Sequence, residues 1–320
     1  MARIVLGLGT SHSPHVSTAP EFWHLHADRD RRNPNLDFGA LVASAPPGLA
    51  KHLDAAVYQE KHDRCQSAIE ALGDALAEAK VDVVVVIGDD QRELFLEECN
   101  PAFAVFNGAT LIDFPPNMES ADPSHVVAMW ARHSAMEDTY PGAPQLATAI
   151  AGSLCGDNFD VAVASRQLAE RSLGHAFTFV RLRLMRERAI PMIPVFINCY
   201  FPPNQPSPTR CYAFGQALRR AIEAFPGDER VAVVASGGLT HFVIDEQIDR
   251  QVLRGITEKR PELLCSIDPS QLISGSSEIR NWIAAAGALE HLHVVMSEYA
   301  PAYRTEAGTG CGMAFVRWSS

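Results

Sequence analysis

The stretch from Arg3 to His15 constrains the fold most. It runs apolar through Ile4, Val5, Leu6 and Leu8, breaks at Gly9, and turns polar through Thr10, Ser11, His12, Ser13, Pro14 and His15. An apolar run this short, closed by small residues and a proline, predicts a buried strand. It also predicts a histidine at the strand's C-terminal end, the edge at which open α/β sheets bind ligands.

The pattern recurs. Residues 81–87 are apolar and end in the turn Gly88, Asp89, Asp90, Gln91. Residues 159–164 and 193–199 read as strands, and residues 230–236 as another, with Gly237, Gly238 and His241 just past its end. Short strands are expected at 103–106 and 109–112, and later ones at 291–296 and 313–318. Three- and four-residue apolar spacing predicts helices at about 48–80, 126–134, 144–154, 209–225, 244–257 and 277–286. Strands alternating with helices mean an α/β fold, a central mixed sheet flanked by helices. No linker stands out, so one domain over residues 1–320 is expected, with a loop-helix elaboration at about 16–80. Within it, residues 21–47 are polar and broken by Asn-Pro and Pro-Pro pairs, and read as a loop or lid.

Composition excludes several classes. A net charge of −11 opposes nucleic acid as a partner, because phosphate binding needs a basic patch. No apolar run approaches the ~18 residues of a membrane span, and the run from Ile4 is too short for a signal peptide. The cysteines are 7 in number, scattered and without a CxxC pair, which argues for reduced thiols and a cytoplasmic location.

Chemistry-bearing residues collect at the strand ends and in two later segments: His12, His15, Asp89, Asp90, Gln91, His175, His241 and Glu278. Two neutral imidazoles and one carboxylate on one face of a divalent metal leave open positions for substrate and oxygen, as in non-haem Fe(II) oxygenases. Spacing alone does not establish such a site across distant segments. There is no HExxH zinc motif and no GxSxG nucleophile elbow. Gly7 and Gly9 lack the third glycine of a dinucleotide fingerprint. The other histidines, His15 among them, are expected in packing or solvated roles.

Several motifs together resemble the class III extradiol ring-cleavage dioxygenases. They are Thr10-Ser-His-Ser-Pro14, Ser236-Gly-Gly-Leu-Thr-His241, Leu173-Gly-His175, Glu278-Ile-Arg-Asn-Trp282 with Gly287 behind it, Tyr200-Phe-Pro-Pro203, and Thr209 to Gly215. The resemblance implies a single catalytic domain in which His12 and Glu278 bind iron. It implies that His241 is the catalytic acid/base and that His175 holds the substrate's hydroxyl side. It further implies an Fe(II) cofactor, O2 as co-substrate and a catechol-type aromatic substrate, carboxylated or not. A homo-oligomer is implied as well, with a small partner subunit in some relatives. Residues 16–80 are then a candidate to supply that subunit's role within the chain.

One position departs from the family pattern. The second iron-binding histidine belongs to a turn whose equivalent here is Gly88-Asp-Asp-Gln91, and Gln91 stands in its place. A glutamine oxygen is a neutral but harder and weaker donor, so iron affinity should fall. Asp89 or Asp90 as the ligand would add a negative charge; His52 or His62 reaching in from the expanded segment is a third possibility, and loss of the site a fourth. Two further readings follow: a divergent metal enzyme on a non-catecholic substrate, hydrolytic or oxidative, and a metal-free binding or partner subunit.

Overall fold

The computed structural model describes residues 1–320 apart from 117, 120, 169, 170 and 187. The strands are β1 (Arg3–Thr10), β2 (Val83–Gly88), β3 (Phe103–Phe106), β4 (Thr110–Asp113), β5 (Asp138–Pro141), β6 (Ala162–Ala164), β7 (Met192–Ile197), β8 (Arg230–Ser236), β9 (His241–Val243), β10 (His293–Tyr303) and β11 (Thr309–Ser319). The main sheet has the order β10-β11-β1-β8-β2-β7-β3-β6, with β9 paired to β11, while β4 and β5 form a small antiparallel pair of their own. The centre, β1-β8-β2-β7, is parallel, and β11, β10 and β3 add antiparallel pairs.

The central strands are unbroken apolar runs because helices cover both faces. β2 shows the consequence of the pleat. Val83, Val85 and Ile87 enter one core and Val84 and Val86 the other. The first core holds α5 (Pro144–Gly156), α7 (Pro208–Glu223), α8 (Glu246–Thr257), α9 (Pro261–Cys265) and α10 (Ile279–Ala288). Phe103 and Phe214 stack in it with ring centroids 4.2 Å apart. The second core holds α3 (Ala55–Glu78), α6 (His175–Phe179) and the wider π turn Val180–Met185. α7 and α10 touch along their backbones: a Cβ on Gly215 would strike the Ala284 carbonyl, and one on Gly287 the Tyr212 carbonyl.

The structure adjusts several expectations. Residues 21–47 contain two helices, α1 (Trp23–Arg31) and α2 (Phe38–Ser44). α1 buries Trp23, His26, Ala27 and Asp30, a helical stripe in which two of four members are polar, so it has no apolar period to read. The expected helix at 126–134 is a short turn of helix, α4 (Pro123–Val126), followed by a 3-10 turn, Met129–Ala131. The strand at 159–164 begins only at Ala162. The one at 291–296 runs on to Tyr303, through a proline that an edge strand tolerates. No helix among the described residues is long and apolar enough to cross a membrane.

Candidate metal centre and substrate pocket

Parallel neighbours β1, β8 and β2 release their chains at one edge of the sheet. His12 follows β1, Asp89 follows β2, and the Gly237-Gly238 turn after β8 leads to His241. Tyr200 comes from the loop after β7, His175 opens α6, and Glu278 ends the 3-10 turn Ser274–Glu278 that feeds α10. These residues, apart from Asp89, line one pocket of about 130 Å³.

His12 is held in one tautomer. Its Nδ1 lies 2.8 Å from Ser236 Oγ, and that hydroxyl donates to the Ala176 carbonyl at 2.6 Å. Ser236 therefore accepts from His12, and Nε2 keeps its lone pair. This Nε2 is sealed from solvent and has no hydrogen-bond partner among the described residues. It faces Glu278 Oε2 at 3.4 Å and Asp89 Oδ1 at 4.0 Å. Donors about 2.1 Å from a shared cation stand roughly 3 Å apart at right angles and about 4.2 Å apart when opposite. The spacing fits a metal ion. His175 belongs to the same group: ligand atoms of His12, Asp89 and His175 all lie within 4.8 Å of one another.

Supporting contacts fix the surrounding groups. Glu278 accepts from the Tyr200 hydroxyl and from the Gly238 N–H at 2.6 Å. Its Oε1 is 3.6 Å from His241 Nε2. Burial works against its charge, but His241 and His12 hold the carboxyl well below the usual range. Burial also works against a charged His241, yet Glu278 beside it raises the imidazole well above its ordinary value. Asp89 goes the other way: burial, then Glu278 and Glu93, push it well up. A divalent ion among these groups would favour the charged form of both carboxylates. His175 Nδ1 donates to Glu93, whose two oxygens are each 2.9 Å away; burial lowers the imidazole to about 4. Neutral His175 then presents its other nitrogen as an acceptor.

Residues 46–311 match the family model described as the catalytic LigB subunit of aromatic ring-opening dioxygenase. The chain belongs to the LigB family. It is 29% identical over 175 residues to a 2,3-dihydroxyphenylpropionate/2,3-dihydroxicinnamic acid 1,2-dioxygenase of Comamonas testosteroni, covering 54% of the chain and 47% of that protein. It is 35% identical over 109 residues to a gallate dioxygenase of Pseudomonas putida, covering 33% of the chain and 31% of the relative. A 2,3-dihydroxyphenylpropionate/2,3-dihydroxicinnamic acid 1,2-dioxygenase of Cupriavidus pinatubonensis is 26% identical over 234 residues, covering 72% and 65%. The matched stretches thus span less than two thirds of each of these relatives.

The LigB match begins at residue 46, so β1 with His12, and α1, lie outside it. α1 nevertheless brings His26, Arg29 and Asp30 to the pocket wall. Gln91 lines the pocket but is exposed, and its amide nitrogen is 3.5 Å from Asp89 Oδ2. Asp90 is taken up by its turn, accepting from the backbone N–H groups of Arg92, Glu93, Leu94 and Phe95. His52 packs on Tyr303, and neither it nor His62 lines the pocket. His15 is buried against Trp23, ring centroids 4.1 Å apart, and reaches the pocket as well.

Sequence reasoning missed Glu93, Arg132 and the role of α1. Glu93 stands two residues beyond Gln91 but carried no motif, and Arg132 sat in the stretch expected as a helix at about 126–134. A second cleft of about 850 Å³ shares Arg29, His241 and Phe242 with the inner pocket. His241 therefore stands between the two.

Proposed function

We propose that this chain is a non-haem Fe(II)-dependent extradiol-type dioxygenase that opens a catechol-type aromatic ring with O2. The observation that carries it is the bare, buried Nε2 of His12 facing Glu278 and Asp89, at the ligand-binding edge of a LigB-family sheet. The relatives are named for gallate and for 2,3-dihydroxyphenylpropionate. We carry over from them only a ring with adjacent hydroxyls.

In this reading His12, Glu278 and Asp89 hold the ion. Gln91, beside Asp89, orients that carboxylate and fills the position where the family pattern has an imidazole. When bound, Fe(II) supplies the redox chemistry that couples an electron-rich ring to O2. The protein supplies the proton traffic. His241 Nδ1 donates to the Leu239 carbonyl at 2.9 Å, which leaves Nε2 to exchange a proton at the pocket mouth. With Glu278 committed to a cation, the pairing that keeps His241 charged would weaken, and its neutral Nε2 would take a proton from a ring hydroxyl and later return one to the departing oxygen. His175 accepts a hydrogen bond from the substrate's hydroxyl side, with Glu93 fixing its ring. The net reaction places both atoms of O2 in the product and breaks one ring carbon–carbon bond. Because α1 lines the pocket from within the chain, we expect activity without a small partner subunit.

The test is to purify the protein without oxygen, reload it with Fe(II) and measure iron, then oxygen uptake with a panel of catechols. About one iron per chain, lost in Glu278→Ala, together with uptake on a catechol, is the expected result. Preference for Mn(II) or Zn(II) with no oxygen uptake would overturn it and favour a divergent metal enzyme.

A further inference from the structure

The inner pocket has room for one ring. Its volume of about 130 Å³ is close to that of a cavity of about 150 Å³ known to hold a single benzene. The outer cleft, about 850 Å³, is of the size that takes a whole organic ligand. The two share Arg29, His241 and Phe242. One loop of the cleft is built directly onto His241. A Cβ on Gly275 would strike the His241 ring, and Ser276 Oγ lies 3.0 Å from both the backbone nitrogen and the carbonyl oxygen of His241. A substituent that passes His241 therefore meets the cleft.

The cleft's chemistry is that of an uncharged occupant. Pro34, Leu36, Phe242, Val243, Ile248 and Ile273 give it apolar surface. Its charged groups already have protein partners. Arg32 pairs with Asp122 at 3.7 Å, Arg29 contacts His125, and Asp245 accepts from the Gln247 and Ile248 N–H groups at the start of α8. Other polar side chains there, Asn35, Ser270 and Gln271 among them, are neutral. Apolar walls with a few neutral hydrogen-bonding groups suit a second ring. The wall made by residues 29–36 precedes residue 46, so it lies outside the family match.

We propose that the outer cleft binds a large uncharged substituent of the substrate, so that the chain opens a catechol ring joined to a second ring. The inference rests on the ring-opening reading above and adds its substrate class. The bland alternative is a solvent-filled groove, which would give no preference that depends on its walls.

The test uses the full Fe(II)-loaded chain without oxygen, and calorimetry with catechol, 2,3-dihydroxybiphenyl and 3,4-dihydroxybiphenyl. The wild type should bind at least one biphenyl about 10- to 100-fold more tightly than catechol, the gain from burying one more ring. Ile273 is 65% exposed, so Ile273→Asp places a charge on the cleft wall without opening the core. It should weaken biphenyl binding about 10-fold and leave catechol affinity and iron content unchanged. Leu36→Asp should do the same from the segment between α1 and α2. Equal affinity of the wild type for catechol and both biphenyls overturns the proposal. A biphenyl preference that survives both variants also overturns it, because the second ring then sits elsewhere. Tighter binding of a biphenyl with a 4′-carboxylate on its far ring would overturn the uncharged class. Failure of the wild type to bind any of these compounds would instead bring down the ring-opening reading, and this inference with it.

Discussion

His12 Nδ1 and Ser236 Oγ are 2.8 Å apart, and the direction of that hydrogen bond decides what His12 can do. The Ser236 proton is committed to the Ala176 carbonyl, so the imidazole must donate at Nδ1 and present a lone pair at Nε2. Ser236→Ala removes the acceptor that fixes both tautomer and ring orientation. Metal affinity should fall about 10- to 100-fold, as for other partners of metal-binding histidines. Titration of the apo-protein with Fe(II) or Mn(II) measures it, and unchanged affinity would mean that Ser236 does not set the tautomer.

Asp89 and Gln91 make opposite predictions. Asp89 is fully buried and faces His12, whereas Gln91 is exposed. Asp89→Ala should abolish stoichiometric metal binding, and Gln91→Ala should retain it with at most a modest loss of affinity. The reverse pattern would restore the glutamine as the ligand. Metal analysis after dialysis distinguishes the two.

His241 stands between the inner pocket and the outer cleft, 3.6 Å from Glu278. His241→Ala should keep its iron and bind substrate, but turn over about 10²- to 10⁴-fold more slowly, the usual share of general acid–base catalysis. Full activity in this variant would remove His241 from the proton path.

Gly287 is where α10 meets α7, and a methyl group there meets the Tyr212 carbonyl, which cannot give way as a flexible side chain would. Gly287→Ala should destabilise the fold by about 1–3 kcal/mol, or more if the helices separate. Because Glu278 immediately precedes α10, metal affinity should drop as well. Urea unfolding reads the first effect, and a change below about 0.5 kcal/mol, the range of an ordinary surface substitution, would contradict the close crossing.

Asp249 gives a pH dependence away from the pocket. Burial raises its carboxyl to about 6, although the Tyr299 hydroxyl at 2.7 Å and the Thr240 N–H at 2.8 Å oppose the shift. Its folded value lies above the ordinary aspartate value, so the folded state binds the proton more tightly. Its contribution to stability is therefore present below about pH 4 and is lost as pH rises to about 6, a change on the order of 2–3 kcal/mol. Asp249→Asn should remove this part of the pH slope. Thermal melts from pH 4.5 to 8 compare the two, and identical slopes would refute the assignment.

Much of this was legible before any coordinates. Val83 to Ile87 could only be a buried strand, and the parallel centre of the sheet follows from such runs alternating with helices. The pocket gathers His12, His175, His241 and Glu278, all of them marked by local motifs. Arg132 and Glu93 were not legible. Nothing in their neighbouring residues distinguishes a charge turned into a pocket from one turned to solvent. α1 was invisible for a related reason: its buried stripe carries His26 and Asp30, and a polar stripe leaves no apolar period.

By itself, then, the sequence determined the α/β architecture, the strand ends that carry chemistry and the family, because these depend on local periodicity and contiguous motifs. Only the tertiary structure decided that Asp89 rather than Gln91 lies buried beside His12, that Arg132 Nε is buried without a hydrogen-bond partner among the described residues, and that α1 lines the pocket. Those facts depend on distances between residues far apart in the chain. Periodicity reports that a face is buried, but not what it is buried against.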